Sequence, residues 1–206
     1  RLLDWIRIGH TSPCWPELPI PYRRGGPLDA VGGPLGVDGH RFGPPPPTAA
    51  MLTFIGLGLY DERSVTVEGR EALAAADRAF AEFYTSRLVG TTVEELEAYH
   101  DTEIVCRDRA GVESDPEPIL DAAEDEHVAF LTAGDTMIST THVDLRLRAH
   151  ERGIETRVIH GVSAQSAAAG LTGLQNYRFG KATTLPFPSA HGGGDVPDSV
   201  IRTIED

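Results

Sequence analysis

From residue 51 onward, short apolar runs alternate with segments of helical character. Five runs predict buried strands: "MLTFIGLGL", "RAFAEFYT", "TEIVCR", "HVAFLT" and "IETRVIH". Strands that are separated by helices pair in parallel, because each helix carries the chain back to the starting edge of the sheet. We therefore predict an α/β fold with an open, doubly wound and mostly parallel sheet.

The segments between these runs carry helix signals. "SVTVEGREALAAAD" contains a short Ala-rich helix, and "SAQSAAAG" predicts a helix of small residues. Thr91 and Thr92 each stand three residues before a glutamate, which is the capping-box signature of a helix start. "DPEPILDAAEDE" has proline in its first turn, where a missing N–H does no harm. "TMISTTHVDLRLRAHERG" predicts a helix that Gly153 ends.

The domain organisation follows from the same pattern. Residues 1–50 are rich in Pro and Gly and lack a period, which predicts a disordered or non-native extension. Residues 51–161 hold the alternating pattern and form the predicted α/β domain. In residues 162–206, "YRFGKATTLPF" has strand character and "PDSVIRTIED" starts a helix. We therefore expect part of a second α/β domain there.

The charge is strongly acidic. The net charge is −13, and 27 of the 31 acidic residues lie after residue 50, together with 13 of the 18 basic ones. Lys181 is the single lysine of the chain. Such a surface disfavours nonspecific nucleic-acid binding and suits a salt-rich cytoplasm, where self-repulsion is screened. We expect the stability to rise with molar KCl.

Other compositional signals limit the class further. No apolar run reaches the roughly 20 residues of a membrane-spanning helix. Cys14 and Cys106 are too few for a disulfide framework, which predicts a reducing, cytoplasmic compartment. Cys106 lies in the run "EIVC" and is predicted to be buried.

Ligands of doubly wound sheets bind beyond the carboxyl ends of the strands. Residues 56–59 read "GLGL" there and match two glycines of a dinucleotide fingerprint, but Asp61 replaces the third. Glu82 lies near the place of a ribose-binding acid. A tight turn and a ligand site are both compatible with this spacing, and a nicotinamide-dependent dehydrogenase is the weakest functional reading.

Two further positions at this edge have competing interpretations. Asp135 either caps the following helix or contacts a ligand. His142 shares a predicted helical face with Ile138 and Leu145, which favours packing over catalysis. His160 has no His or Cys at zinc spacing, so we predict no metal.

The motifs in combination are more specific. "FIGLGLYDERSVTVEG", "AEFYTS", "FLTAGDTMISTTHVDLRLRA" and "VIHGVSAQSAAAGLTGLQNYRFGKATTLPFP" closely resemble the archaeal diphthine synthase family. That family belongs to the class of S-adenosylmethionine-dependent methyltransferases that also contains the tetrapyrrole methylases. The resemblance covers residues 51–206 and excludes residues 1–50.

The resemblance implies methylation of the amino group of an aminocarboxypropyl-histidine on translation elongation factor 2, by a homodimer. It implies no secure general base, and no catalytic residue is assigned. By motif, the implied S-adenosylmethionine contacts are Leu59, Asp135, Ile138, Ser163 and Ala164. To these we add Gly56, Gly58 and Gly134, where the backbone could approach the cofactor closely.

The chain departs from this family in two respects. The family commonly has G-D-P where this chain has Gly134-Asp135-Thr136, which we expect to change little. The family also continues beyond residue 206, so we expect weak cofactor binding by this chain. A sister methylase acting on a corrin or porphyrin, and a cofactor-binding fragment without catalysis, stay open as alternatives.

Overall fold

A computed structural model describes residues 50–185 and 196–205. It contains a five-stranded sheet in the order β3-β2-β4-β1-β5, with every neighbouring pair parallel. The strands are β1 Met51–Gly56, β2 Arg78–Glu82, β3 Ile104–Arg107, β4 His127–Thr132 and β5 Thr156–Ile159. The predicted parallel α/β fold is confirmed.

Helices connect the strands. They are α1 Val67–Ala74, α2 Val93–His100, α3 Glu117–Asp125, α4 His142–Glu151, α5 Ala164–Thr172 and α6 Asp198–Glu205, with a π-helix at Ala110–Ser114 and a 3₁₀ turn at Asn176–Arg178. The predicted capping box is present at α2. Thr92 Oγ1 accepts the Glu95 N–H at 3.2 Å, and Glu95 Oε2 accepts the Thr92 N–H at 2.8 Å.

The two faces of the sheet are each covered by two helices. Alternate strand residues point to opposite faces. Ile55 and Leu131 pack with α1 and α2 in one cluster. Phe54 and Phe130 pack with α3 and α4 in the other, edge to face at 5.7 Å between ring centroids. The sheet is therefore doubly wound, as predicted.

The helix predicted after Asp135 begins later than expected. Residues 136–141 form turns and bends, and α4 starts at His142. Thr140 donates its hydroxyl to the Thr136 carbonyl at 2.7 Å, so polar side chains compete here with helical hydrogen bonds. Ile138 precedes the helix and is 41% exposed, so the prediction that it shares a helical face with His142 is wrong.

Two other predictions fail. Cys106 is exposed, because β3 is an edge strand in which only Ile104 is buried. Residues 177–185 contain no strand; residues 186 and 187 of the predicted strand segment lie outside the described residues. So do residues 1–49, which hold nearly all of the predicted extension. Within the described ranges, no helix has the length and hydropathy to cross a bilayer.

Candidate binding site at the carboxyl edge of the sheet

The loops that follow the strands form what we call the carboxyl edge. The connections from β1 and β4 leave these neighbouring strands toward opposite sides of the sheet, which makes their junction a topological switch point. The two loops are hydrogen-bonded there. The Gly58 N–H donates to the Gly134 carbonyl at 3.1 Å, and the Gly134 N–H donates to the Gly58 carbonyl at 2.7 Å.

Three glycine backbones pack against one another at this junction. A Cβ atom on Gly56 would lie 2.5 Å from the Gly161 nitrogen and 2.7 Å from the Gly134 oxygen. A Cβ on Gly161 would collide with the Gly134 oxygen and approach the Gly56 backbone to 2.8 Å. Gly56 therefore allows the loops after β1, β4 and β5 to meet, and Gly161 has the same role, which its sequence context did not indicate.

Gly58 and Gly134 both have positive φ, at 75° and 78°, where glycine is least strained. Their surroundings differ. A Cβ on Gly58 would strike the Ser64 backbone at 2.5 Å, whereas no heavy atom of the described residues lies within 4 Å of a Cβ on Gly134. The backbone of Gly134 thus borders open space at the carboxyl edge.

Asp135 occupies the next position, with a side chain only 7% exposed. Its Oδ1 accepts the Met137 N–H at 2.9 Å, and its Oδ2 lies 2.8 Å from Nδ1 of His160. The carboxylate therefore closes residues 134–137, which we call the Asp135 turn. The prediction that it caps the helix is wrong, because α4 starts seven residues later. His160 was placed at this edge by the sequence, but not as a partner of Asp135.

Glu82 does not face a ligand at this edge. Its side chain is fully buried, and its Oε2 accepts the N–H groups of Tyr84 at 3.1 Å and Thr85 at 2.9 Å. Burial raises the pKa of the Glu82 carboxyl, but hydrogen bonds from His142 and Thr85 outweigh it and leave the pKa below its usual value. The suggestion that Glu82 binds a ribose is wrong. A nicotinamide-dependent dehydrogenase is therefore left without the ribose-binding acid that the sequence suggested.

His142 is fully buried, and its ring packs edge to face on Phe130 at 5.0 Å. The packing role predicted for it is confirmed. Its polar contacts were not predicted: Nε2 lies 3.3 Å from Oε1 of Glu82, and Nδ1 lies 3.0 Å from the Thr136 carbonyl. The Thr132 hydroxyl is also 3.3 Å from Nδ1.

Tyr84 lies on the outer side of this region. The Arg109 guanidinium stacks over its ring at 4.7 Å and pairs with Glu113 at 2.7 Å. Burial, with the negative charges of Glu82 and Glu113, raises the pKa of Tyr84 to about 12. The phenol therefore stays protonated at neutral pH.

The remaining motif residues surround the same edge. Leu59 is half-buried, and its carbonyl accepts the Ser64 hydroxyl. Ser163 caps α5 by accepting the Ser166 N–H at 3.3 Å, and Ala164 is exposed as the first residue of that helix. Among residues 50–185 and 196–205, no three His, Cys, Asp or Glu side chains are grouped so that they could hold a metal ion.

Comparison with known proteins assigns the family. The sequence model of the tetrapyrrole (corrin/porphyrin) methylases matches residues 51–203. A diphthine synthase of Halorubrum lacusprofundi is 83% identical over 155 residues, and one of Haloarcula marismortui is 74% identical over 156. These alignments cover 75% and 76% of this chain, respectively.

The structural comparison agrees. A crystal structure of diphthine synthase superimposes with a TM-score of 0.64 at 41% identity, covering 66% of this chain and 53% of that one. The chain spans only 58% and 60% of the two relatives' own lengths. Since the family model matches well over half of its residues, the chain belongs to the tetrapyrrole (corrin/porphyrin) methylase family.

Proposed function

We propose that this chain is part of a diphthine synthase. In that activity an S-adenosylmethionine-dependent methyltransferase methylates the amino group of the aminocarboxypropyl-histidine on translation elongation factor 2. The observation that carries the proposal is 83% identity over 155 residues to a relative named diphthine synthase. Residues 51–161 would form its cofactor-binding methylase domain, and residues 162–206 would begin a second domain. Assembly into a homodimer stays a prediction.

The residues at the carboxyl edge fit S-adenosylmethionine. Gly134 presents backbone to open space, and Asp135 places a fixed carboxylate beside it. A carboxylate has about four lone-pair positions, so Asp135 can accept a further hydroxyl or amine hydrogen bond. Its negative charge also favours a cationic ligand. We propose Leu59, Asp135, Ile138, Ser163 and Ala164 as the contacts, with Gly56, Gly58 and Gly134 allowing close backbone approach.

When bound, S-adenosylmethionine supplies an activated methyl group, so the protein must chiefly align donor and acceptor. Rigid positioning is what this edge provides. The interlocked glycines fix the loops after β1, β4 and β5, and the contacts of Asp135 to Met137 and His160 fix its carboxylate. Leu57 and Ala133 anchor these loops, because both are buried in the hydrophobic core. No side chain is assigned as a general base.

The decisive experiment uses labelled S-adenosylmethionine, this chain and elongation factor 2 that carries the unmethylated intermediate. Label on the factor supports the proposal. A matched reaction with elongation factor 2 that lacks the aminocarboxypropyl group should stay unlabelled. In a parallel reaction that offers a corrin or porphyrin in place of the factor, label on the tetrapyrrole would contradict the proposal and favour a sister methylase. Cofactor binding without transfer to any of these acceptors would assign the chain only a binding role.

A further inference from the structure

A buried acid–base pair lies directly behind the Asp135 turn. Glu82 ends β2 and His142 begins α4, and both side chains are 0% exposed. Nε2 of His142 is 3.3 Å from Oε1 of Glu82. At this distance the two atoms are in acid–base contact, and neither has an aligned hydrogen-bond partner among the described residues. Removing either partner would therefore leave a buried polar group uncompensated.

Both nitrogens of the His142 ring face acceptor oxygens. The Thr136 carbonyl can only accept, so Nδ1 must donate to it across the 3.0 Å that separates them. On the other side stands the Glu82 carboxylate, which also accepts. The two sides of the ring therefore both face oxygens that require a donor.

The pair connects two loops of the carboxyl edge. Through Oε2, Glu82 holds the backbone N–H groups of Tyr84 and Thr85 in the loop after β2. Through Nδ1, His142 holds the carbonyl of Thr136, which directly follows Asp135. Hydrogen bonds at both ends, joined by the contact between Glu82 and His142, thus link residues 84 and 85 to the Asp135 turn.

We propose that Glu82 and His142 are a positioning pair that sets the Asp135 turn from behind. Since both are fully buried, they act through the turn and not by touching a ligand. The inference rests on the proposed function, because it assigns the turn to S-adenosylmethionine. Specifically, the hydrogen bond from His142 to the Thr136 carbonyl orients Asp135 for that cofactor.

Two substitutions separate positioning from simple stability. In His142→Asn, the side-chain amide can replace Nδ1 and still donate to Thr136, but the shorter side chain leaves a cavity. In His142→Gln, the amide reaches toward Glu82 in place of Nε2 and the bond to Thr136 is lost, while the volume is better kept. The melting temperature should therefore fall more in His142→Asn, and cofactor binding should weaken more in His142→Gln.

The measurement is titration calorimetry with S-adenosylmethionine, expressed per folded molecule. We expect binding to weaken about tenfold in His142→Gln and less than about threefold in His142→Asn, from the net value of one hydrogen bond. Glu82→Gln is the conservative control. Its amide can donate to Nε2 of a neutral ring that still donates from Nδ1, so binding should also stay within about threefold. Equal losses, or a larger loss in His142→Asn, would overturn the inference.

A second readout needs no ligand. Amide NMR signals of Gly134 and Met137 report the geometry of the Asp135 turn. They should shift in His142→Gln and stay near the parent positions in His142→Asn. Failure of the parent chain to bind S-adenosylmethionine would count against the proposed function, and these signals would then decide the positioning role alone. Unshifted signals in His142→Gln would refute it.

Discussion

A histidine is buried at each edge of the sheet, His127 at the amino edge and His142 at the carboxyl edge. The two rings have different hydrogen-bonding partners. At the amino end, His127 places Nδ1 3.2 Å from the Ala75 carbonyl and Nε2 2.9 Å from the Thr53 hydroxyl. Nδ1 donates to the carbonyl and Nε2 accepts from the hydroxyl, so a neutral ring completes the set. At the carboxyl end, His142 faces a carboxylate and a carbonyl, and both can only accept.

This difference shows how one sheet separates stability from binding. At the amino end both ring nitrogens of His127 are satisfied, and the Asp77 carboxylate accepts the His127 backbone N–H at 2.9 Å, so these polar groups are paired within the fold. The carboxyl end combines the buried contact of Glu82 with His142, positive-φ glycines and a fixed carboxylate. Such costly features are concentrated where a ligand site is expected.

The largest effect is expected from Gly161→Ala at the carboxyl end. The new Cβ would collide with the backbones of Gly134 and Gly56, which cannot move as side chains can. We expect a loss of about 3 kcal/mol or more in the free energy of unfolding, measured by urea denaturation. Gly170→Ala in α5 is the control. Its new Cβ meets no atom within 4 Å in the described part of the chain, and the variant should gain up to about 1 kcal/mol from helix propensity. Similar values for both would mean that the loops can separate freely.

Asp135→Ala should weaken S-adenosylmethionine binding about tenfold or more while costing only about 1 kcal/mol of stability. The reason is that its carboxylate serves both the turn and the proposed ligand. Calorimetry and thermal melting on the same samples separate the two. Asp135→Asn keeps an acceptor for Met137 and should be intermediate in binding. A collapse in melting temperature with unchanged affinity per folded molecule would show that Asp135 only stabilises the turn and does not contact the cofactor.

His127 predicts a pH effect at the amino end. Burial lowers the pKa of His127 below its usual 6.5, so the unfolded chain binds the proton more tightly than the folded one. Stability is therefore fully present above pH 6.5 and falls as the pH drops below it, by at most about 1.4 kcal/mol per pH unit for one histidine. His127→Gln should reduce the difference in unfolding free energy between neutral and mildly acidic pH. An undiminished difference would contradict this.

The smallest effects come from two threonines, one at each end. Thr53→Val removes the hydroxyl that serves His127 and should cost about 1 kcal/mol. Thr136→Val removes a fully buried hydroxyl that has no partner among the described residues, so it should be neutral or stabilising by up to about 1 kcal/mol. Urea denaturation of both variants tests the contrast, and equal losses would show that the Thr136 hydroxyl is satisfied in solution.

The local sequence pattern predicted correctly the features that depend on neighbouring residues. The alternation of apolar runs and helix signals predicted five parallel strands, because strand and helix periods are properties of neighbouring residues. The capping box at Thr92 followed from a three-residue spacing. The acidic, Lys-poor composition agrees with relatives from halophilic archaea. The sequence motifs also led to the family that the comparisons establish.

Tertiary structure decided what depends on residues distant in the chain. Cys106 was predicted to be buried, but strand order places β3 at the edge of the sheet. The contacts of Asp135 with His160 and of Glu82 with His142 join residues 25 and 60 positions apart, which no local pattern encodes. Gly161 likewise needs its missing side chain only because three loops converge. The sequence by itself determined the five strands of the sheet and the family. The packing of the loops determined which polar groups act together, because those contacts exist only after the strands have assembled.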